Sequence, residues 1–245
     1  MRDWAGKRYW LLGASEGLGR ALAHRLSRCG VRLVLSARST DRLEALAAEL
    51  PGLAEVVPID IADMDSVRKA AAQVGDVDGL VFLSGVYWPF PVQEWDVDQA
   101  ATMVDVNFTG AVRVLGLVVP EMAARGSGHV VLTGSLSGFR GLPGPVVYGS
   151  SKAGLMHLAE SLRASLGGSG VTVQLANPGF IRTRLTEKND FRMPFVMEPD
   201  EAAEAMFRHM SGDSFAANFP TLFSLFFRGA NFLPDALYFR LFGAR

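Results

Sequence analysis

Short, mostly apolar runs recur along this chain, separated by longer segments in which apolar residues return every third or fourth position. Runs of the first kind, bounded by glycine or polar turns, predict strands buried on both faces; segments of the second kind predict the helices that cover them. Strands are expected at 9–12, 31–35, 54–58, 79–83, 129–133 and 171–175. Helices are expected at 20–29, 40–50, 64–74, 98–124 and 146–166, with Thr40 or Asp41 placed to cap the second. Asn107 falls in the middle of the long fourth helix, beside Gly110. Asparagine is a poor helix former, so a local kink, or a carbonyl freed to bind elsewhere, is expected there. The apolar face of that helix (Met103, Val106, Val114, Leu117, Val118) is either core or a subunit contact. The alternation of strand and helix, with no repeat and no Pro/Ser-rich linker, predicts one α/β domain over 1–245. Its core is a single doubly wound parallel sheet with helices on both faces.

Composition adds mainly exclusions. Apolar residues make up 49% of the 245 positions and the formal net charge is −1, which gives no sign of a nucleic-acid partner. Cys29 is the single cysteine, which precludes an internal disulfide and fits a reducing, cytoplasmic setting. The first residues, Met1 to Arg8, lack the apolar core of a signal peptide, and no uncharged apolar run approaches the ~18 residues of a membrane span. His24, His129, His157 and His209 show no metal-ligand spacing and read as surface or helix-face residues, so no metal is expected.

Candidate chemistry gathers at the carboxyl ends of the strands, the edge where open parallel sheets bind ligands. The first strand feeds Gly13-Ala14-Ser15-Glu16-Gly17-Leu18-Gly19 and then a helix. In that context Gly13 permits a tight turn, Gly17 lets the backbone approach a pyrophosphate, and Gly19 allows close helix packing. The second strand ends at Arg38-Ser39, where the adenosine ribose of a dinucleotide belongs. Arginine there offers a planar fork to a 2′-phosphate, favouring NADP(H), with NAD(H) as the alternative. Glu16 opposes this by placing a negative charge in the glycine loop. Asp60 is positioned either to bind an adenine amino group or to cap the helix at 64–74. Ser135 follows the fifth strand. Tyr148 and Lys152, four residues apart, share one helix face. An ammonium within about 4–6 Å favours the phenolate and would bring a phenol from about 10 towards neutral pH, giving an acid–base pair.

In order and spacing, Gly13-x-x-x-Gly17-x-Gly19, Asn107, Ser135, Tyr148-x-x-x-Lys152 and Pro178-Gly179 resemble the short-chain dehydrogenase/reductase family, over roughly residues 7 to 210. The resemblance implies a Rossmann-type fold and a catalytic set of Asn107, Ser135, Tyr148 and Lys152. Tyr148 is then the acid/base, and Lys152 lowers its pKa and binds the nicotinamide ribose. Ser135 positions the substrate oxygen, and Asn107 holds a relay water through its carbonyl. Pro178, Gly179 and Thr183 are expected against the nicotinamide. Ser15, Leu18, Ile61, Gly85 and Ile181 join the cofactor contacts. Three departures stand out: Leu12 precedes the first glycine, where the family has Thr or Ser. Phe82-Leu83-Ser84-Gly85 replaces Asn-Asn-Ala-Gly. The chain then continues to Arg245 in an unfamiliar pattern.

Substrate choice in such folds lives in the loops above the sheet. Here those loops are apolar: Tyr87 to Phe90, Leu142 to Pro145, and 183–197, which is expected to act as a lid. Trp88, Leu142 and Phe191, with Ser135 and Tyr148, are the expected substrate contacts, and a lipophilic carbonyl or alcohol the expected substrate. The tail at 221–245 is rich in phenylalanine, with Arg228, Arg240 and Arg245 interspersed. It reads either as a peripheral membrane contact or as packing on the body or a second subunit. The expected activity is an NADP(H)-dependent interconversion of ketone and alcohol by a homodimer or homotetramer. The alternatives are an NAD-linked hydroxy-lipid dehydrogenase and a non-catalytic nucleotide-binding regulator.

Overall fold

A computed structural model describes residues 2–243. Seven parallel strands form one sheet in the order β3-β2-β1-β4-β5-β6-β7. They are β1 (Arg8–Leu12), β2 (Arg32–Ser36), β3 (Ala54–Val56), β4 (Gly79–Phe82), β5 (Gly128–Thr133), β6 (Val171–Pro178) and β7 (Ala216–Phe219). The strand order reverses between β1 and β4, and such a switch point opens a crevice at the carboxyl edge. In β1 and β4 almost every side chain is buried, on alternate faces, as the uninterrupted apolar runs require. Trp10, Leu12, Leu80 and Phe82 face one apolar layer, Tyr9, Leu11 and Val81 the other. Helices α3 (Met64–Val74), α5 (Gly110–Ala124) and α6 (Val146–Ser165) cover the first face, and α4 (Val97–Val104) packs on a smaller cluster with Tyr87, Phe90 and Val147. Helices α1 (Gly17–Ser27), α2 (Thr40–Glu49) and α7 (Pro199–Met210) cover the second.

The long helix expected at 98–124 is α4 and α5 joined through a π-helical turn at Asp105–Thr109. Asn107 sits in that turn and is fully buried, so the expected irregularity is a one-residue change of register. Val97–Ala124 together is long and apolar enough, by length and composition, to cross a membrane, although Asp98, Asp105, Arg113 and Glu121 interrupt it, so no uncharged run of that length is present. Met103, Val106, Val114 and Leu115 are buried, and Leu117 and Val118 pack against the core, so the inner face is satisfied by the protein itself.

Other local expectations also change. Neither Thr40 nor Asp41 caps α2: the cap position is Ser39, without a side-chain bond. Asp63, not Asp60, caps α3 by accepting from the Asp65 N–H, because it lies directly before the first helical residue. His129 is no surface histidine. It lies buried in β5 between the Tyr9 hydroxyl (2.8 Å) and Gln174 Oε1 (2.7 Å), and burial pushes its pKa down to about 3. His209 is buried too. Helix α7 and strand β7 had no counterpart in the expected elements. The tail forms two further helices, α8 (Thr221–Ala230) and α9 (Asp235–Phe242). Arg245, one of its basic residues, lies outside the described residues.

Candidate active site

Beyond the carboxyl ends of the strands lies a cleft of about 1310 Å³. At one end is the glycine turn. Gly13 adopts φ +90°, and a Cβ there would come within 2.7 Å of the Ser84 nitrogen, so the turn nests directly against the chain leaving β4. Two of the departures noted above, Leu12 and Leu83-Ser84, therefore meet in space: the Leu83 N–H donates to the Leu12 carbonyl at 2.8 Å. A Cβ on Gly19 would strike the Gly13 carbonyl oxygen at 2.0 Å, which is the close helix packing expected of that position. Gly17, at φ +53°, faces the Thr183 methyl at 2.7 Å from where a Cβ would sit. The first turn of α1 thus opens, with its free N–H groups, on a channel walled by Thr183.

Arg38 lines the same end, and no carboxylate pairs with it among the described residues. Glu16 also lines this end and is paired with two arginines. Arg42 of α2 reaches it at 3.0 Å, and Arg184 grips it with two nitrogens at 2.9 and 3.1 Å. The negative charge expected to oppose a phosphate is thereby offset by two positive ones. Asp60 and Ile61 line this end as well, although one Asp60 oxygen already accepts from the Ala62 N–H at 3.0 Å.

At the other end, β5 and α6 bring Ser135, Tyr148 and Lys152 together. Lys152 is buried, and its ammonium donates to the Thr133 carbonyl at 2.8 Å while lying 5.8 Å from the Tyr148 ring centroid. Burial pushes Lys152 down to about 8. Tyr148, half-buried at the cleft wall with Tyr87 packed edge-on at 5.0 Å, is pushed up to about 12 by desolvation, with the Ser135 hydroxyl drawing it back. The expectation that lysine brings this phenol to neutral pH is therefore corrected. The ammonium donates to a backbone carbonyl, and burial of the ring is the largest influence on the phenol.

Asn107 and Trp88 are the two expected site residues that do not line the cleft. Asn107 lies behind its wall. Its Oδ1 accepts from the Val86 N–H (2.7 Å), and its Nδ2 donates to the Val86 carbonyl (3.0 Å) and to Ser151 Oγ (3.1 Å). It fixes the loop after β4 to α6, and Gly85 passes so close that a Cβ would meet Asn107 Oδ1 at 3.4 Å and Lys152 Nζ at 3.7 Å. Trp88 packs against the small cluster of Tyr87, Phe90, Ala100, Met103 and Val147 with the Lys188 ammonium 4.3 Å from its ring centroid, and Tyr87 lines the cleft instead. Gly13, Ser15, Gly17, Leu18 and Gly19 line the cleft together with Gly85, Pro178, Gly179, Ile181 and Thr183, and so do Leu142 and Phe191. The segment 183–197 crosses the opening. It is tied down by Tyr87 Oη to Asn189 Oδ1 (3.0 Å), Lys188 Nζ to the Tyr87 carbonyl (2.8 Å) and the Arg184–Glu16 pair.

Residues missing from the expectations are Arg42, Arg184, Phe180 and Arg140. The guanidinium of Arg140 clamps the tail to the loop after Ser135. It donates to the carbonyls of Ala230 (3.1 Å) and Leu233 (2.8 Å), pairs with Asp235, and lies 3.9 Å over the Tyr238 ring. These partners stand some ninety positions downstream, too far for any local pattern to reveal.

The sequence model of the short chain dehydrogenase family matches residues 7–192. An oxidoreductase of Myxococcus xanthus with no characterised activity is 38% identical over 233 residues, covering 92% of each chain. A Drosophila melanogaster protein named dehydrogenase/reductase SDR family protein 7-like is 33% identical over 192 residues, 74% of this chain and 59% of its own. Among solved structures, a short-chain dehydrogenase from Sphingobium yanoikuyae in complex with NADPH superposes with a TM-score of 0.82 at 26% identity, covering 94% of this chain and 97% of its own. One from Burkholderia cenocepacia in complex with NADP shares the fold at a TM-score of 0.86 and 24% identity, over 98% and 99% of the two chains.

Proposed function

Because this chain belongs to the short-chain dehydrogenase family and is an NAD(P)-dependent oxidoreductase, we propose that it is an NADP(H)-dependent reductase of lipophilic carbonyl compounds. The observation that carries this reading is one cleft holding Ser135, Tyr148 and Lys152 at one end and, beside a glycine turn at the other, Arg38, which pairs with no carboxylate among the described residues. The residues fit a dinucleotide. Gly13 and Gly17 hold backbone where a side chain would collide, α1 offers free N–H groups to a pyrophosphate, and Arg38 suits a 2′-phosphate. The relative from Sphingobium yanoikuyae binds NADPH, which supports the same preference here.

A bound nicotinamide supplies hydride to a carbonyl carbon, or accepts it from an alcohol. Ser135 holds the substrate oxygen, and Tyr148 gives that oxygen its proton as negative charge develops. Burial pushes the Tyr148 phenol up to about 12, so it carries the proton that reduction consumes. Lys152, charged below about 8, faces the growing phenolate from within the wall. Asn107 keeps that wall in place. Tyr87, Leu142 and Phe191 contribute apolar surface to the cleft, which suits a lipophilic substrate.

Exposed Val97, Val104 and Val112 run along the outer face of α4 and α5, a stripe suited to a second copy of the chain in a homodimer or homotetramer; light scattering of the purified protein tests this. On α8 and α9 the exposed Leu225, Phe226, Phe239 and Leu241, with Arg228 and Arg240 exposed nearby, suit peripheral contact with a lipid surface. Cys29, a free thiol, is consistent with a cytoplasmic setting. The catalytic reading is tested with Tyr148→Phe. The variant should bind NADPH as the native protein does and lose at least about a hundredfold in ketone-dependent NADPH oxidation. Undiminished turnover would remove Tyr148 from its role.

A further inference from the structure

The tail does more than cover the body. Phe223 on α8 lies against Gly179: a Cβ on that glycine would meet Phe223 Cδ1 and Leu136 Cδ1, each at 3.2 Å, and Leu136 is the neighbour of Ser135. From there aromatic rings continue outward in contact. Phe180 packs on Phe223 at 5.9 Å, Phe223 meets Phe227 edge-on at 5.0 Å, Phe227 meets Phe226 at 5.7 Å, and Phe226 meets Phe242 of α9 at 5.4 Å. Phe180, Phe223, Phe227, Leu241 and Phe242 all line the cleft that contains Ser135 and Tyr148. One apolar wall therefore runs from beside the catalytic serine to the outer edge of the α8–α9 pair.

The wall is fixed rather than loosely laid on. Arg140 holds the α8–α9 connection by two carbonyls and by Asp235, Tyr238 is buried beneath it, and the Tyr238 hydroxyl donates to the Gly141 carbonyl at 2.8 Å. These anchors come from the loop that carries Ser135, so tail and catalytic serine keep one spatial relation. A short ketone bound at Ser135 would leave most of the wall bare, and an unbranched apolar chain would cover it.

We propose that α8 and α9 form a distal trough for the apolar chain of the substrate, making the preferred substrate a carbonyl compound with a long alkyl chain. This rests on the reductase reading above and names its substrate class. Each methylene laid on the wall leaves water, so affinity rises with chain length until the trough is filled.

The test is a series of 2-ketones of increasing chain length, from butanone upward, assayed by NADPH oxidation with the native protein and with Phe227→Trp and Phe227→Ala. The native protein should show kcat/KM rising roughly two- to fourfold per added methylene and then levelling. Phe227→Trp should level at a shorter chain, and Phe227→Ala should flatten the slope. A series in which butanone is reduced but kcat/KM does not climb would overturn the trough and leave the reductase reading standing. So would a pair of variants that change all chain lengths alike. If NADPH binds and no ketone of any length is reduced, the reductase reading fails, and the trough with it.

Discussion

Asn107→Ala removes three hydrogen bonds made by a fully buried side chain. The Val86 N–H and the Val86 carbonyl each lose their partner, and Ser151 Oγ loses a donor while still giving its own hydrogen to the Tyr148 carbonyl at 2.8 Å. An orphaned buried polar group costs about 1–3 kcal/mol. Two backbone groups of this kind, with a small term for Ser151, give about 2–5 kcal/mol once partial relaxation is allowed for. For a domain of this size each kcal/mol lowers Tm by roughly 2–4 °C, so a fall of roughly 4–20 °C is expected. The loss should also reach the chemistry, because the Val86 loop carries Gly85, which packs against Lys152 Nζ. Differential scanning fluorimetry at pH 7, followed by ketone-dependent NADPH oxidation well below the variant's Tm, checks both. A Tm within about 2 °C of native, with unchanged kcat, would refute the view that Asn107 braces the catalytic wall.

Lys152→Met removes a buried ammonium whose folded-state pKa lies near 8, below its ordinary 10.5. The native fold binds this proton more weakly than the unfolded chain does. Native stability relative to the variant should therefore rise with pH from about 8 to 10.5 and be lowest below pH 8. Thermal midpoints at about pH 7 and about pH 9.5, on either side of the folded-state value, check the sign, and a gap that does not change with pH would contradict it. On α8, replacing Leu225 and Phe226 by aspartate should abolish co-sedimentation of the full chain with anionic liposomes while leaving butanone turnover intact. Absence of binding by the native protein would end the membrane reading.

The sheet was legible because its strands are buried on both faces: continuous apolar runs such as Tyr9–Leu12 admit few other readings. The meeting of Ser135, Tyr148 and Lys152 in one cleft was legible because they sit at strand-end and helix positions that fixed spacings carry to one edge. Asn107 was legible as an irregularity, since a polar residue amid Val106 and Phe108 needs partners, but its partners at Val86 and Ser151 could not be read from spacing. Trp88 departs from expectation because an apolar loop does not state which of its aromatics lines the cleft: Tyr87 does, and Trp88 lies under Lys188. The Tyr148 pKa departs from it because sequence spacing gives proximity to Lys152 but neither the depth of burial nor the competing Thr133 carbonyl. The clasp of Glu16 by Arg42 and Arg184, and the hold of Arg140 on the tail, join positions far apart in the chain.

An NADP(H)-dependent reductase is tested most directly by nicotinamide fluorescence, titrating the native protein and Arg38→Ser with NADPH and with NADH. The native protein should bind NADPH tightly and respond more weakly to NADH. Arg38→Ser should lose roughly ten- to a hundredfold in NADPH affinity, the worth of a charge-assisted hydrogen bond, with NADH little changed. Equal affinity for the two cofactors, or an Arg38→Ser variant that still prefers NADPH, would contradict the assignment.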